Sequence, residues 1–125
     1  GKTIAVLGLT FKPNTDDMRD APSLVIVPHL QAAGATVRAY DPEGRKEAAK
    51  HLTVDFRDNA YDTLDGADGV VVVTEWNEFR ALDLTKVKAS LKRPLMVDLR
   101  NIYRPAQMVQ AGFRYVSVGR ADAGA

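Results

Sequence analysis

At 125 residues the chain has room for one compact domain, and a domain of this size buries roughly two-thirds of the surface its unfolded chain exposes. Apolar residues make up 46% and charged residues 26%, as in ordinary globular proteins, and a net charge of +1 offers no basic stripe for nucleic acid. No apolar run reaches the ~18 residues a membrane span needs, no leader is expected, and the absence of cysteine excludes disulfides, thiolate metal sites and a cysteine nucleophile within this chain.

Short apolar runs alternate with helical patterns along the whole length. The first strand is expected at residues 3–7, followed by a turn crowded with charge, "GLTFKPNTDDMRDAP". Asp20 is placed to cap a helix running to about Ala33, with Pro22 in its first turn, Pro28 as a kink and Gly34 just past its end. A second strand at 36–40 leads to Asp41 and Pro42, read as the cap of a helix through Lys50. A weak strand at 53–56 and a helix at 59–64 come next. The strand at 69–74 contains four consecutive valines, the continuous β-branched run of a parallel strand covered on both faces. A helix at 84–91, a strand at 95–99, a helix at 105–111 ending before Gly112, and a strand at 115–118 complete the series. Residues 1–120 read as one domain without repeat or linker, and residues 121–125 as a frayed, disordered tail. Alternation of this kind predicts right-handed βαβ units: an α/β, Rossmann-like, doubly wound parallel sheet of about six strands with helices on both faces.

In such sheets ligands sit beyond the carboxyl ends of the strands, where the strand order reverses. The segments converging there are 10–20, 74–78 and 98–101, which are also the richest in functional side chains. A dinucleotide fingerprint requires G-x-G-x-x-G; here Gly8 matches, but Thr10 and Pro13 stand at the second and third glycine positions. The turn therefore offers side chains instead of bare backbone. Lys12 and Arg19 are candidates for anionic oxygens, with Asp16, Asp17 and Asp20 orienting them; the competing reading is a solvated loop tied by local ion pairs. Arg100 follows a buried strand and suits a bidentate contact to phosphate or carboxylate, or else pairs with Asp98 or Asp17. Trp76 reads as a lid over the sheet end in preference to a stacking platform, and Asp41 as a cap in preference to a ribose ligand. His29 and His51 have no partnering ligands in sequence, and no metal site is expected.

Three motifs, "GLTFKPNTDDMRDAPSL", "TEWNEF" followed by "LD", and "DLRNIYRPAQM", occur in order and at consistent spacing. Together they resemble the C-terminal domain of the UDP-glucose 6-dehydrogenases, within the UDP-glucose/GDP-mannose dehydrogenase family, and the resemblance runs from Lys2 to Gly119. It implies a three-part oxidoreductase: an N-terminal Rossmann domain for NAD, a central helical domain forming a homodimer, and a C-terminal Rossmann-like domain for the UDP-sugar. UDP-glucose would be oxidised at C6 to UDP-glucuronate with two NAD. By resemblance Phe11, Lys12 and Arg100 bind the UDP-sugar and Arg19 reaches NAD. The catalytic cysteine and the NAD domain lie outside this chain, so no catalytic residue is assigned here, and the isolated piece is expected to be inactive, monomeric and cytoplasmic. Arg104 departs from the acidic residue expected after "NIY", and Thr10 from a small residue. Dehydrogenases of UDP-N-acetylmannosamine and GDP-mannose share the F-K-x-x-x-D-D-x-R core and remain alternatives, as does a free-standing nucleotide-sugar sensor. A receiver-like signalling domain is the distant alternative, lacking an aspartate at the end of the third strand and a lysine after the fifth.

Overall fold

The computed structural model describes residues 2–124. Six strands, β1 (Thr3–Leu7), β2 (Thr36–Tyr40), β3 (Asp55–Phe56), β4 (Gly69–Val72), β5 (Leu95–Asp98) and β6 (Arg114–Ser117), form one sheet in the order β3-β2-β1-β4-β5-β6. Every pairing within it is parallel. The connecting helices are α1 (Ser23–Ala32), α2 (Arg45–Ala48), α3 (Ala60–Leu64), α4 (Asn77–Arg80), α5 (Leu84–Ser90) and α6 (Pro105–Gln110). The order reverses between β1 and β4, the Rossmann arrangement, with β3 on the outer edge. A receiver domain has a different order, 2-1-3-4-5, which brings its third strand inward. That reading falls on topology alone.

Alternation within the strands splits the core in two. Ala5, Leu7, Val70, Val72, Met96 and Tyr115 face one side and meet Leu64, Phe79, Val87 and Met108 from α3–α6. Val6, Val37 and Ala39 face the other and meet Val27 of α1 and Ala48 of α2. Each residue in the central strands therefore buries a side chain, and this is why "VVVV" has no polar face.

The register aligns the carboxyl ends: Leu7 pairs with Tyr40 and with Val72, Val72 with Asp98, and Asp98 with Ser117. The loops after β1, β2, β4, β5 and β6 consequently leave the sheet along a single row.

Three expectations are corrected. Asp20 does not cap α1: a tight turn closed by the Ala21 N–H on the Met18 carbonyl holds Asp20 at φ +56, and the helix starts behind Pro22 with no side-chain cap. Ser23 Oγ donates instead to the Leu9 carbonyl at 2.6 Å, stapling the helix start to the end of the β1 loop. The helix expected after Asp41 shrinks to one turn, because Asp41 binds the loops around it. Of the tail read as frayed, residues 121–124 turn back, and Tyr115 and Ala123 exchange backbone hydrogen bonds of 2.7 and 2.9 Å at the β6 edge, while Ala125 lies outside the described residues. The one-turn helix α4 had no counterpart in the sequence reading. Pro28 lies inside α1, which continues through it. Among the described residues no helix is long and apolar enough to cross a membrane.

Gly8 shows how tightly the switch point is closed. At φ +90, a Cβ added there would lie 2.5 Å from Thr74 Cβ and 2.7 Å from the Thr74 backbone nitrogen. Gly8→Ala is expected to lower stability by about 2–5 kcal/mol, from left-handed strain plus overpacking, read as a fall in the urea midpoint.

Candidate functional site

The first loop is held by a buried carboxylate on its neighbour. Asp41, at the end of β2 and 5% exposed, accepts from the amides of Leu9 (2.7 Å) and Thr10 (3.0 Å) through Oδ2. Its Oδ1 accepts from the amides of Glu43 (2.9 Å) and Gly44 (2.7 Å). Asp41 is therefore not the cap expected of it: α2 starts behind Gly44 with no side-chain cap, and Asp41 instead ties the turn before that helix to the β1 loop. Thr10 Oγ1 lies 3.1 Å from Asp41 Oδ2 and 3.0 Å from the Lys12 carbonyl, and Thr74 Oγ1 donates to the Thr10 carbonyl at 2.7 Å. Thr10 and Thr74 are fully buried. Their side chains fill the crevice that a glycine fingerprint would leave open, so a pyrophosphate cannot lie against the backbone there.

Beyond Thr10 the loop rises from the sheet. The Phe11 amide donates to the Asp17 carbonyl at 2.9 Å, closing a small ring that exposes Phe11 and Lys12. Arg100 meets this ring from the β5 end. Its Nε donates to the Val73 carbonyl (2.9 Å) and its Nη2 to the Phe11 carbonyl (3.1 Å). Neither alternative partner takes the guanidinium: Asp98 Oδ1 accepts the Arg100 backbone amide, and Asp17 is engaged by Arg19. Glu75 Oε2 lies 4.0 Å from Nε, at the limit of an ion pair. Of the five guanidinium N–H groups, three have no acceptor among the described residues. Lys12 makes no salt bridge among them either. Arg100 is thus bonded to the backbone of Phe11, the residue that precedes Lys12.

Arg19 behaves differently. Its Nε and Nη2 clamp both oxygens of Asp17 at 2.9–3.2 Å, while its side chain is 89% exposed. The bond from Arg19 holds the Asp17 carboxyl down at about 2, and the same bond raises the Arg19 guanidinium. Arg19 thus projects away from the domain with its orientation set. Trp76 is 7% exposed and packs in the core, and its indole N–H has no acceptor among the described residues. Two open grooves flank the loop, about 580 Å³ beside Thr15, Asp17, Arg19 and His51, and about 480 Å³ beside Asn14, Asp16, Glu43 and Trp76. Neither is lined by Phe11, Lys12 or Arg100.

These features define a Rossmann-like domain that presents basic side chains beyond the turn where a dinucleotide fold presents glycines. Residues 5–105 match the UDP binding domain of the UDP-glucose/GDP-mannose dehydrogenase family. The chain belongs to that family. It is 55% identical over 123 residues to a UDP-glucose 6-dehydrogenase of Rhizobium meliloti, covering 98% of this chain and 28% of the relative. Among solved structures it superposes on a UDP-glucose dehydrogenase from Pyrobaculum islandicum with TM-score 0.78 at 29% identity, covering 97% of this chain and 26% of that one. It also superposes on an NDP-N-acetyl-D-galactosaminuronic acid dehydrogenase from Methanosarcina mazei with TM-score 0.84 at 29% identity, covering 96% and 25%. The chain spans less than a third of the length of these relatives.

The Asp17–Arg19 clamp has a pH signature. Because the folded value lies below the ordinary 3.8, its contribution is fully present above that pH and is lost as pH falls through about 2. The Asp17 carboxyl carbon should titrate in NMR near 2, and in Arg19→Ala it should return towards 3.8.

Proposed function

We propose that this domain supplies the UDP-sugar wall of a nucleotide-sugar dehydrogenase acting on UDP-glucose. The observation that carries the reading is Arg100, fixed through the Val73 and Phe11 carbonyls at the switch point of the sheet, with three guanidinium N–H groups that have no acceptor among the described residues and with Lys12 next in the chain to Phe11. Such a pair, one planar fork and one point charge, matches a diphosphate, with Arg100 just past β5 and Lys12 on the loop that follows β1. Phe11, 43% exposed on the same loop, offers an apolar face to the nucleotide. The site lies on an open rim and encloses nothing by itself, which suits one wall of a cleft whose other wall comes from the rest of the enzyme.

On this reading C6 of UDP-glucose passes from alcohol to carboxylate by two hydride transfers and addition of one water, giving UDP-glucuronate. NAD supplies the hydride acceptor. The part of this chain that fits NAD is Arg19, clamped by Asp17 and projecting from the domain towards an anionic group across the cleft. Since the chain contains no cysteine and fills its own fingerprint crevice, the reading assigns NAD and the covalent chemistry to the N-terminal part of the enzyme. It also makes the enzyme a cytoplasmic homodimer through its central helices, and the isolated domain an inactive monomer. A different sugar is the second reading, favoured by the N-acetylgalactosaminuronic acid dehydrogenase superposition, because the residues described contact the nucleotide end and leave the sugar to other parts.

In the intact dehydrogenase, Lys12→Ala and Arg100→Ala should each weaken UDP-glucose binding by about tenfold to a hundredfold, the range of a lost charge-assisted hydrogen bond. Calorimetry reads this directly, and unchanged affinity in both variants refutes the assignment. UDP-N-acetylmannosamine and GDP-mannose in parallel titrations decide the sugar.

A further inference from the structure

The Arg100 turn is held from behind by the segment that leaves β6. Asp98, wholly buried at the end of β5, accepts the Arg100 amide on Oδ1 (3.0 Å) and the amides of Ile102 (2.8 Å) and Tyr103 (3.1 Å) on Oδ2. Its fourth donor is the Tyr115 hydroxyl, at 2.5 Å. That hydroxyl in turn accepts from Arg120 Nη2 at 2.9 Å, and Arg120 is itself fixed by Ser117 Oγ (3.0 Å), the Tyr103 carbonyl (3.2 Å) and the Tyr115 ring, 5.7 Å from its guanidinium carbon. Arg120 is the cation that reaches the buried Asp98 charge, through one phenol. Burial first, and then the bond to Asp98, push the Tyr115 hydroxyl well above its usual range, so it remains a proton donor.

A second tie acts on the next residue. Asn101 sits at φ +56, a left-handed conformation that a side chain makes costly. Its amide clasps the Val118 backbone from both ends, Nδ2 donating to the carbonyl at 2.9 Å and Oδ1 accepting the N–H at 3.0 Å. The exit segment of β6 thus grips both the carboxylate beneath Arg100 and the strained residue after it.

From this geometry we infer that Tyr115 and Arg120 are positioning residues for nucleotide-diphosphate binding: they fix Asp98, and through it the backbone turn that aims the Arg100 guanidinium. The proposal rests on the reading of Arg100 as a UDP-sugar ligand. A displaced fork loses bidentate alignment without losing charge, so the defect falls on substrate affinity and spares the chemical step.

Steady-state kinetics of the intact dehydrogenase test this. Tyr115→Phe and Arg120→Gln should each raise the KM for UDP-glucose about fivefold with kcat within about twofold, the effect of one lost hydrogen bond. Arg120→Lys should recover part of it. In an Arg100→Ala background neither substitution should raise KM further, because the group being aimed is gone. A merely structural role would lower the melting temperature equally in both backgrounds and leave KM alone. Unchanged KM in Arg120→Gln while Arg100→Ala raises it overturns the positioning role only; a rise that persists in the Arg100→Ala background does the same. Unchanged KM in Arg100→Ala overturns the UDP-sugar reading and the positioning role together. Should Tyr115→Phe not fold, the half-buried Arg120 variants decide the matter.

Discussion

The Asp41 carboxylate is the contact on which the rest of the site depends. It bridges two neighbouring loops by accepting amides from both, Leu9 and Thr10 on one side, Glu43 and Gly44 on the other. Those amides stand just past the ends of the strands, where the sheet ladder no longer satisfies them and water is excluded. Removing the acceptor would leave several buried donors unpaired, each a desolvation penalty of about 1–3 kcal/mol. With the acceptor in place the β1 loop has one path, over buried Thr10 and up to exposed Lys12.

Asp98 repeats the device three positions along the row of strand ends. Both aspartates are the last or next residue of a strand, both are buried, and both are satisfied mainly by backbone amides, those of the following turn for Asp98 and those of two neighbouring loops for Asp41. Buried anions at these positions act as anchors and leave the exposed rim to the cations. This separation leaves Lys12 on the β1 loop and Arg100 after β5 as positive groups at the strand ends, although the β1 loop also carries Asp16, Asp17 and Asp20. Asp17 is consumed by Arg19, and the two anchoring carboxylates are below the surface. The exposed Asp17–Arg19 pair adds little to stability in water, but it sets the direction of a long side chain that would otherwise sample many rotamers.

The double use of carbonyl oxygens matters as well. Arg100 is tied to the Val73 and Phe11 carbonyls, and the carboxylate nearest its guanidinium, Glu75, stands 4.0 Å away, so its charge is only weakly compensated. An ion pair with Asp98 would have oriented it equally well and cancelled it. The structure spends the Asp98 charge on amides and on the Tyr115 hydroxyl instead, with Arg120 behind.

Much of this was legible in the chain itself. Strand and helix alternation, the all-valine fourth strand and the missing second glycine were enough to place a side-chain-built site at the ends of β1, β4 and β5, because hydrophobic period and glycine geometry are local properties. The three motifs pointed to the family. What local pattern could not show was who satisfies whom: that Asp20 turns away from its helix, that Asp41 reaches back 32 residues to Leu9, or that Arg100 finds carbonyls and avoids both candidate aspartates. Nor could it show that Arg120, in a segment read as the edge of a loose tail, lies over Tyr115. Those outcomes depend on which strand ends the parallel register brings side by side, and hydrogen-bond partners across a sheet are chosen by proximity in space, on which spacing along the sequence is silent.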